Sequence, residues 1–316
     1  MVLAYLNIFI AACLFTLIIA PIMIIYLKKF RMEQYIRKNG ALLHARKQGT
    51  PTVGGLIFLI PILTLTFYKV DINENISFIL LLSVGFGLIG LIDDMIKINR
   101  KRNLGLTVTE KLVLQILVSS IIYTLSHDIL NPSIYIPNTN YTLHLESFYF
   151  LFFLGFTITT VNATNITDGL DGLLAGIVLT ILLTFAVISY SLHFYQVFLF
   201  ILICMGAILG FFFFNFHPAN VFMGDTGSHS LGGILAGLAF ITKTEILFIL
   251  MAGVVFIEAL TVIIQLTSVK IRKKTVFLMA PIHHTFELMG WHETKIVKMF
   301  WFINFTLSII SILLFK

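Results

Sequence analysis

The sequence predicts an all-α integral membrane protein of about ten transmembrane helices, with both termini outside and a short external β-hairpin. Three observations carry this prediction: the composition, the recurrence of long uncharged runs, and the placement of the basic residues. Of the 316 residues, 58% are hydrophobic and only 11% are charged, against roughly a quarter charged in an ordinary soluble domain. A soluble fold has too little polar surface here to coat its core. A lipid-facing exterior removes that requirement.

Residues 1–27 contain no Lys, Arg, Asp or Glu. At about 1.5 Å per residue, such a helix crosses a hydrocarbon core of about 30 Å. No basic segment precedes it and no small-residue cleavage site ends it, so it reads as a permanent span rather than a secretory signal. Further spans are expected near 52–68, 76–92, 112–126, 148–164, 172–190, 195–213, 229–243, 246–268 and 296–315. No internal repeat or low-complexity tract interrupts them, so residues 1–316 read as a single polytopic membrane domain. With the N-terminus outside, all of the 21 basic residues except Lys69, Lys243 and Lys316 fall in inner segments, as the positive-inside rule requires. The net charge of +6 is therefore a topology signal, and nucleic acid is not an expected partner. The outer segment 127–147 carries Pro, Asn and β-branched residues that suggest a short hairpin. Cys13 and Cys204 lie in apolar runs without metal or redox spacing.

The same topology puts five aspartates on the inner face, all at helix ends. Asp93 and Asp94 end the third span in LIGLIDDMIKINRKRN, with Lys97 one turn on. Asp168 and Asp171 lie in VNATNITDGLDG among Asn162, Asn165, Gly169 and Gly172. Asp225 lies in FNFHPANVFMGDTGSHS, after Asn215 and Phe222. Acidic residues are disfavoured at a helix C-terminus, and adjacent carboxylates repel unless they share a cation. The segments holding Asp168, Asp171 and Asp225 contain no Lys or Arg, so these carboxylates are expected to want a metal or a bound cationic group. Capping of the sixth span by Asp168 and Asp171, and of the eighth by Asp225, is the simpler alternative. Hard oxygen ligands of this kind suit Mg²⁺ together with substrate phosphates.

Three other features stand out. Lys47 and Thr52 lie in a Gly/Pro-bounded turn opening the second span, a weak anion-binding signal without Walker spacing. His283 and His284 are adjacent in APIHHTFELMGW. No HExxH or Cys/His ligand set accompanies them, so phosphate contact or proton shuttling is expected rather than zinc. Glu258 stands inside the ninth span, where a carboxylate faces the protein interior and pairs with a neighbouring helix or serves a substrate.

In order along the chain, HARKQGTPTVGG, GLIDDMIKINRKRNLGLT, NATNITDGLDGL, FNFHPANVFMGDTGS and APIHHTFELMGW resemble the bacterial phospho-N-acetylmuramoyl-pentapeptide transferase family, within the polyprenyl-phosphate N-acetylhexosamine-1-phosphate transferases. The resemblance runs from about residue 28 to residue 301. It implies a Mg²⁺-dependent enzyme of the cytoplasmic membrane with its active site facing the cytoplasm. The implied partners are UDP-N-acetylmuramoyl-pentapeptide, undecaprenyl phosphate, membrane lipids and a second copy of the chain in a homodimer. The implied reaction gives lipid I and UMP. By the same resemblance Asp225 is the Mg²⁺ ligand, and Asp93, Asp94, His283 and His284 are catalytic. Lys47, Asp171 and Phe222 belong to a nucleoside pocket, with Phe222 against uracil. Thr52, Lys97, Asn162, Asn165, Asp168, Gly169 and Asn215 are further substrate contacts. Two departures stand out: Thr285 replaces the third of the family's usual histidines, and a basic residue common near Thr109 is missing, with Lys111 close by. The alternatives are a relative using UDP-GlcNAc or a related sugar, and an ion-coupled transporter, which would place its acidic residues near the bilayer midplane.

Overall fold

The computed structural model describes residues 2–33, 49–102, 104–139 and 141–315. Among them α1 (Val2–Lys29), α2 (Gly55–Lys69), α3 (Glu74–Asn99) and α4 (Val108–Leu125) lead to the hairpin strands β1 (Ser133–Tyr135) and β2 (Thr142–His144). Then follow α5 (Tyr149–Thr167), α6 (Leu173–Ser191), α7 (Tyr195–Asn215), α8 (Gly224–Ile241), α9 (Glu245–Met251), α10 (Gly253–Arg272), α11 (Ile282–Leu288) and α12 (Glu293–Leu314). The chain is an all-α multi-pass membrane protein, and eight of these helices are long and apolar enough to cross a bilayer.

Two expected spans miss that standard for different reasons. Helix α2 has only 15 residues, about 22 Å of helix. Helix α8 begins with Asp225, Thr226, Ser228, His229 and Ser230, and every residue from Asp225 to Phe240 is buried in protein. Such a helix has no lipid face to be apolar for. The expected ninth span is also interrupted: α9 ends at Met251 and α10 restarts at Gly253.

Helix α8 is the axis of the bundle, packed against α3, α5 and α2. Its approach to α3 is close enough that a methyl group at Gly90 would overlap the Asp225 carbonyl. Ser83 and Ser230 share a hydrogen bond at 2.7 Å across the same seam. At the far end of α8, Phe240 packs between Phe153 and Phe156, with ring centroids 4.9 and 5.0 Å away, at angles that suit aromatic pairs.

The predicted hairpin forms, with Ser133 opposite His144 and Tyr135 opposite Thr142 in antiparallel register. Lys243 anchors it to the end of α8, its ammonium donating to the Asn131 carbonyl at 2.6 Å and the Ser133 carbonyl at 3.3 Å. The hairpin lies at the opposite end of the bundle from the five aspartates, because α3, α5 and α8 all run between the two ends.

Candidate active site

The site is assembled where α3 ends and α8 begins. Asp93, Asp94 and Asp225 are 1%, 2% and 9% exposed, and each offers an oxygen within 4.8 Å of the others. Their roles differ. Asp94 Oδ1 accepts the Asp225 N–H at 3.1 Å, and its Oδ2 accepts the Thr226 N–H at 2.9 Å and the Thr226 hydroxyl at 2.7 Å. The first-turn amides of α8 are thus satisfied by a carboxylate from another helix. Asp94 is misplaced at the C-terminus of α3 but well placed at the positive N-terminus of α8.

The expectation that Asp225 caps α8 is therefore corrected. Asp225 lies inside the first turn, and the cap comes from Asp94. Gly224, at φ +73°, makes the turn into α8; a side chain there would lie 2.7 Å from Asp94 Oδ2 and 2.8 Å from Thr52 Oγ1. The left-handed conformation and the crowding both call for glycine. Thr52 is brought to this spot by backbone pairing: the Phe222 N–H donates to the Pro51 carbonyl at 2.8 Å, and the Gly54 N–H to the Phe222 carbonyl at 2.9 Å.

Two lysines complete the cluster. Lys97 Nζ lies 2.6 Å from Asp93 Oδ2 and 3.0 Å from Asp225 Oδ1. Lys111 Nζ lies 2.7 Å from Asp225 Oδ2 and 3.3 Å from Asp93 Oδ1. The expectation that Asp225 wants a metal or a cationic group from beyond its own segment is met by these two ammonium groups. Its own segment holds none, but α3 and α4 each supply one. Asn165 Nδ2 donates to Asp225 Oδ1 at 3.0 Å. One turn deeper, Asn162 pairs its amide with Gln115, donating at 2.8 Å and accepting at 3.3 Å; it braces α5 against α4. Three carboxyl groups share this cluster with two ammonium groups. The donors are hard oxygens within 4.8 Å of one another, a set that could hold a metal ion. With Asp94 committed to α8, Asp225 and Asp93 are the carboxylates able to hold it.

Asp171 belongs to a separate group. Its Oδ2 accepts from His217 Nδ1 and from the Ala219 N–H, both at 3.1 Å. Its own N–H donates to Glu293 Oε1 at 2.7 Å. The capping of the sixth span by Asp168 and Asp171 is not realised: Gly172 occupies the N-cap of α6, with no side-chain cap, and Asp168 instead closes α5 as its C-cap. Asn215 accepts the Gly172 N–H at 3.2 Å and donates to the Val221 carbonyl at 3.0 Å, so both ends of its amide tie loops together. Lys47 lies outside the described residues.

His283 is fully buried, and its Nδ1 meets Glu258 Oε2 at 3.1 Å. Pairing between helices is therefore the role the structure gives Glu258. A side chain at Gly169 would overlap His283 Nε2, which explains glycine beside Asp168. His284 Nδ1 pairs with Glu287 Oε2 at 2.6 Å.

Sequence reasoning left Lys111 out of the site. A signal was available. Thr107 and Glu110 form a capping box at the start of α4, which puts Lys111 in the first turn, where a cation opposes the helix dipole. Carboxylates beyond the helix had to compensate.

With this geometry in hand, likeness to known proteins is decisive. Residues 76–243 match the family model described as glycosyl transferase family 4. The chain is 41% identical over 304 residues to the phospho-N-acetylmuramoyl-pentapeptide-transferase of Halalkalibacterium halodurans, covering 95% of this chain and 94% of that protein. It is 42% identical over 306 residues to the Anoxybacillus flavithermus protein of the same name, with the same shares covered. The chain belongs to the phospho-N-acetylmuramoyl-pentapeptide-transferase family. The Bacillus subtilis transferase is 39% identical over 304 residues, covering 95% of this chain and 94% of its own length. The family match includes Asp93, Asp94, Lys97, Lys111 and Asp225 within one matched stretch.

Proposed function

We propose that this chain transfers phospho-N-acetylmuramoyl-pentapeptide from its UDP-linked precursor to undecaprenyl phosphate, leaving lipid I in the membrane and releasing UMP. The observation that carries the proposal is the cluster of Asp93, Asp225, Lys97 and Lys111 at one end of a lipid-embedded bundle. One substrate is soluble and the other greasy, so the reaction belongs where the bundle meets water. A phosphate oxygen of the lipid forms a bond to the sugar-linked phosphorus, and the bond from that phosphorus to the bridging oxygen of UMP breaks. Two anions must meet, and Lys97 and Lys111 offset their repulsion.

Bound Mg²⁺, held by Asp225 and Asp93, would supply charge stabilisation for the phosphoryl oxygens. Asp93 is the base in this reading, taking a proton from a protonated lipid phosphate. Direct attack is the preferred course over a covalent carboxylate intermediate. Asp171 and Phe222 serve the nucleoside end, and Asn165 orients Asp225. His283, which packs against Gly169, serves the phosphates through that turn, and His284 serves them from the next position. The site faces the cytoplasm, in the cytoplasmic membrane, with both termini outside and two copies forming a dimer.

The decisive experiment supplies purified protein with Mg²⁺, undecaprenyl phosphate micelles and one UDP-sugar at a time. UMP and lipid product are expected from the muramoyl-pentapeptide nucleotide and not from UDP-GlcNAc; the reverse result overturns the assignment. Asp225→Asn should abolish product while the protein still inserts and keeps its thermal stability.

A further inference from the structure

A polar stripe runs down the protein-facing side of α10. Glu258, Thr261, Gln265 and Ser268 recur at helical spacing; Gln265 is half-buried and the other three are buried. Glu258 holds His283, as described above. Gln265 uses its whole amide on the segment after the helix. Its Oε1 accepts the N–H groups of Val276 and Phe277, each at 3.0 Å, and its Nε2 donates to the Phe277 carbonyl at 3.0 Å. Ser268 Oγ donates to the Lys274 carbonyl at 2.8 Å. Side chains thus replace the backbone partners that an irregular segment lacks.

Thr285 closes the other end. Its hydroxyl donates to the Met279 carbonyl at 2.6 Å and accepts the Met279 N–H at 3.2 Å. One oxygen satisfies both backbone groups of a single residue; a histidine ring carries its donor and acceptor on different atoms. We infer that Gln265, Ser268 and Thr285 are positioning residues for His283 and His284. They fix the segment 274–281 on α10 and so set where α11 begins and which way its first turn faces. Thr285 thereby has a role of its own in this chain, as the clasp of that segment. The inference rests on the reading that the two histidines serve the transfer.

The test compares Thr285→Val, Thr285→Ser, Gln265→Leu and His283→Ala in the full-length purified protein. Thr285→Val should lower kcat about tenfold while leaving KM for the nucleotide within about twofold, because the chemical groups remain but are misplaced. Hydrogen exchange should quicken at the Met279 amide in Thr285→Val, and at the Val276 and Phe277 amides in Gln265→Leu. Thr285→Ser should restore both turnover and protection. If Thr285→Val or Gln265→Leu fails to fold, Ser268→Ala removes a single bond, and a loss of about two- to threefold in kcat is expected from it. Wild-type kcat in these variants, with His283→Ala inactive, overturns the positioning role and leaves the histidines in place. Wild-type kcat in His283→Ala overturns the reading beneath it, and the inference falls with it.

Discussion

Two adjacent aspartates with the same side chain have been given different work by their surroundings. Asp94 turns into the N-terminus of α8 and accepts three hydrogen bonds there. Asp93 turns the other way and meets Lys97, Lys111 and the Leu106 N–H, the last at 2.8 Å. Replacing them should therefore fail differently. Asp94→Ala leaves the first turn of α8 without its acceptor and should cost about 2–4 kcal/mol; a fall in melting temperature in detergent, larger than that of Asp225→Asn, checks this. Lys111→Met should leave folding intact and lower turnover by about a hundredfold or more, because Asp93, Asp225 and two phosphates would then face one another with one cation fewer. Lys111→Arg should recover part of that loss, measured as UMP release at saturating substrate.

At the scale of elements, the α3–α8 contact decides whether the site exists. Asp93 and Asp225 are far apart in sequence and meet because Gly90 lets the two backbones touch. Gly90→Ala adds one methyl group where the Asp225 carbonyl already stands. It should cost about 1–3 kcal/mol and should also reduce turnover, since any relief separates Asp225 from Asp93. Thermal unfolding and activity measured on one preparation test both halves; a stable and fully active Gly90→Ala protein would mean the contact is looser than it looks. At the other end Lys243 holds the hairpin and lies 3.8 Å from Glu245 Oε1 at the start of α9. Substitution in that hairpin should leave transfer unchanged.

At the scale of the whole molecule, the candidate site residues among those described lie at one end of the bundle, and under the proposed function the positive-inside rule puts that end in the cytoplasm. A cysteine at Lys101 should react with a membrane-impermeant maleimide only in lysed cells, and one at Thr139 also in intact cells; the opposite pattern would invert the topology. Much of this was legible in the chain. Uncharged runs of span length mark the helices because a bilayer admits little else, and aspartates at helix ends point to the cluster of Asp93, Asp94 and Asp225. Two kinds of fact were not legible. Helix α8 is buried and need not be apolar, so hydropathy understates it. The pairings of Asp225 with Lys111, of Asp94 with α8, and of Glu258 with His283 join residues far apart in sequence. Sequence alone determined the membrane class and, through its motifs, the family. Only the tertiary structure decided which carboxylate caps a helix and which ones meet the lysines, because a charge buried in protein takes its role from the partner packed against it.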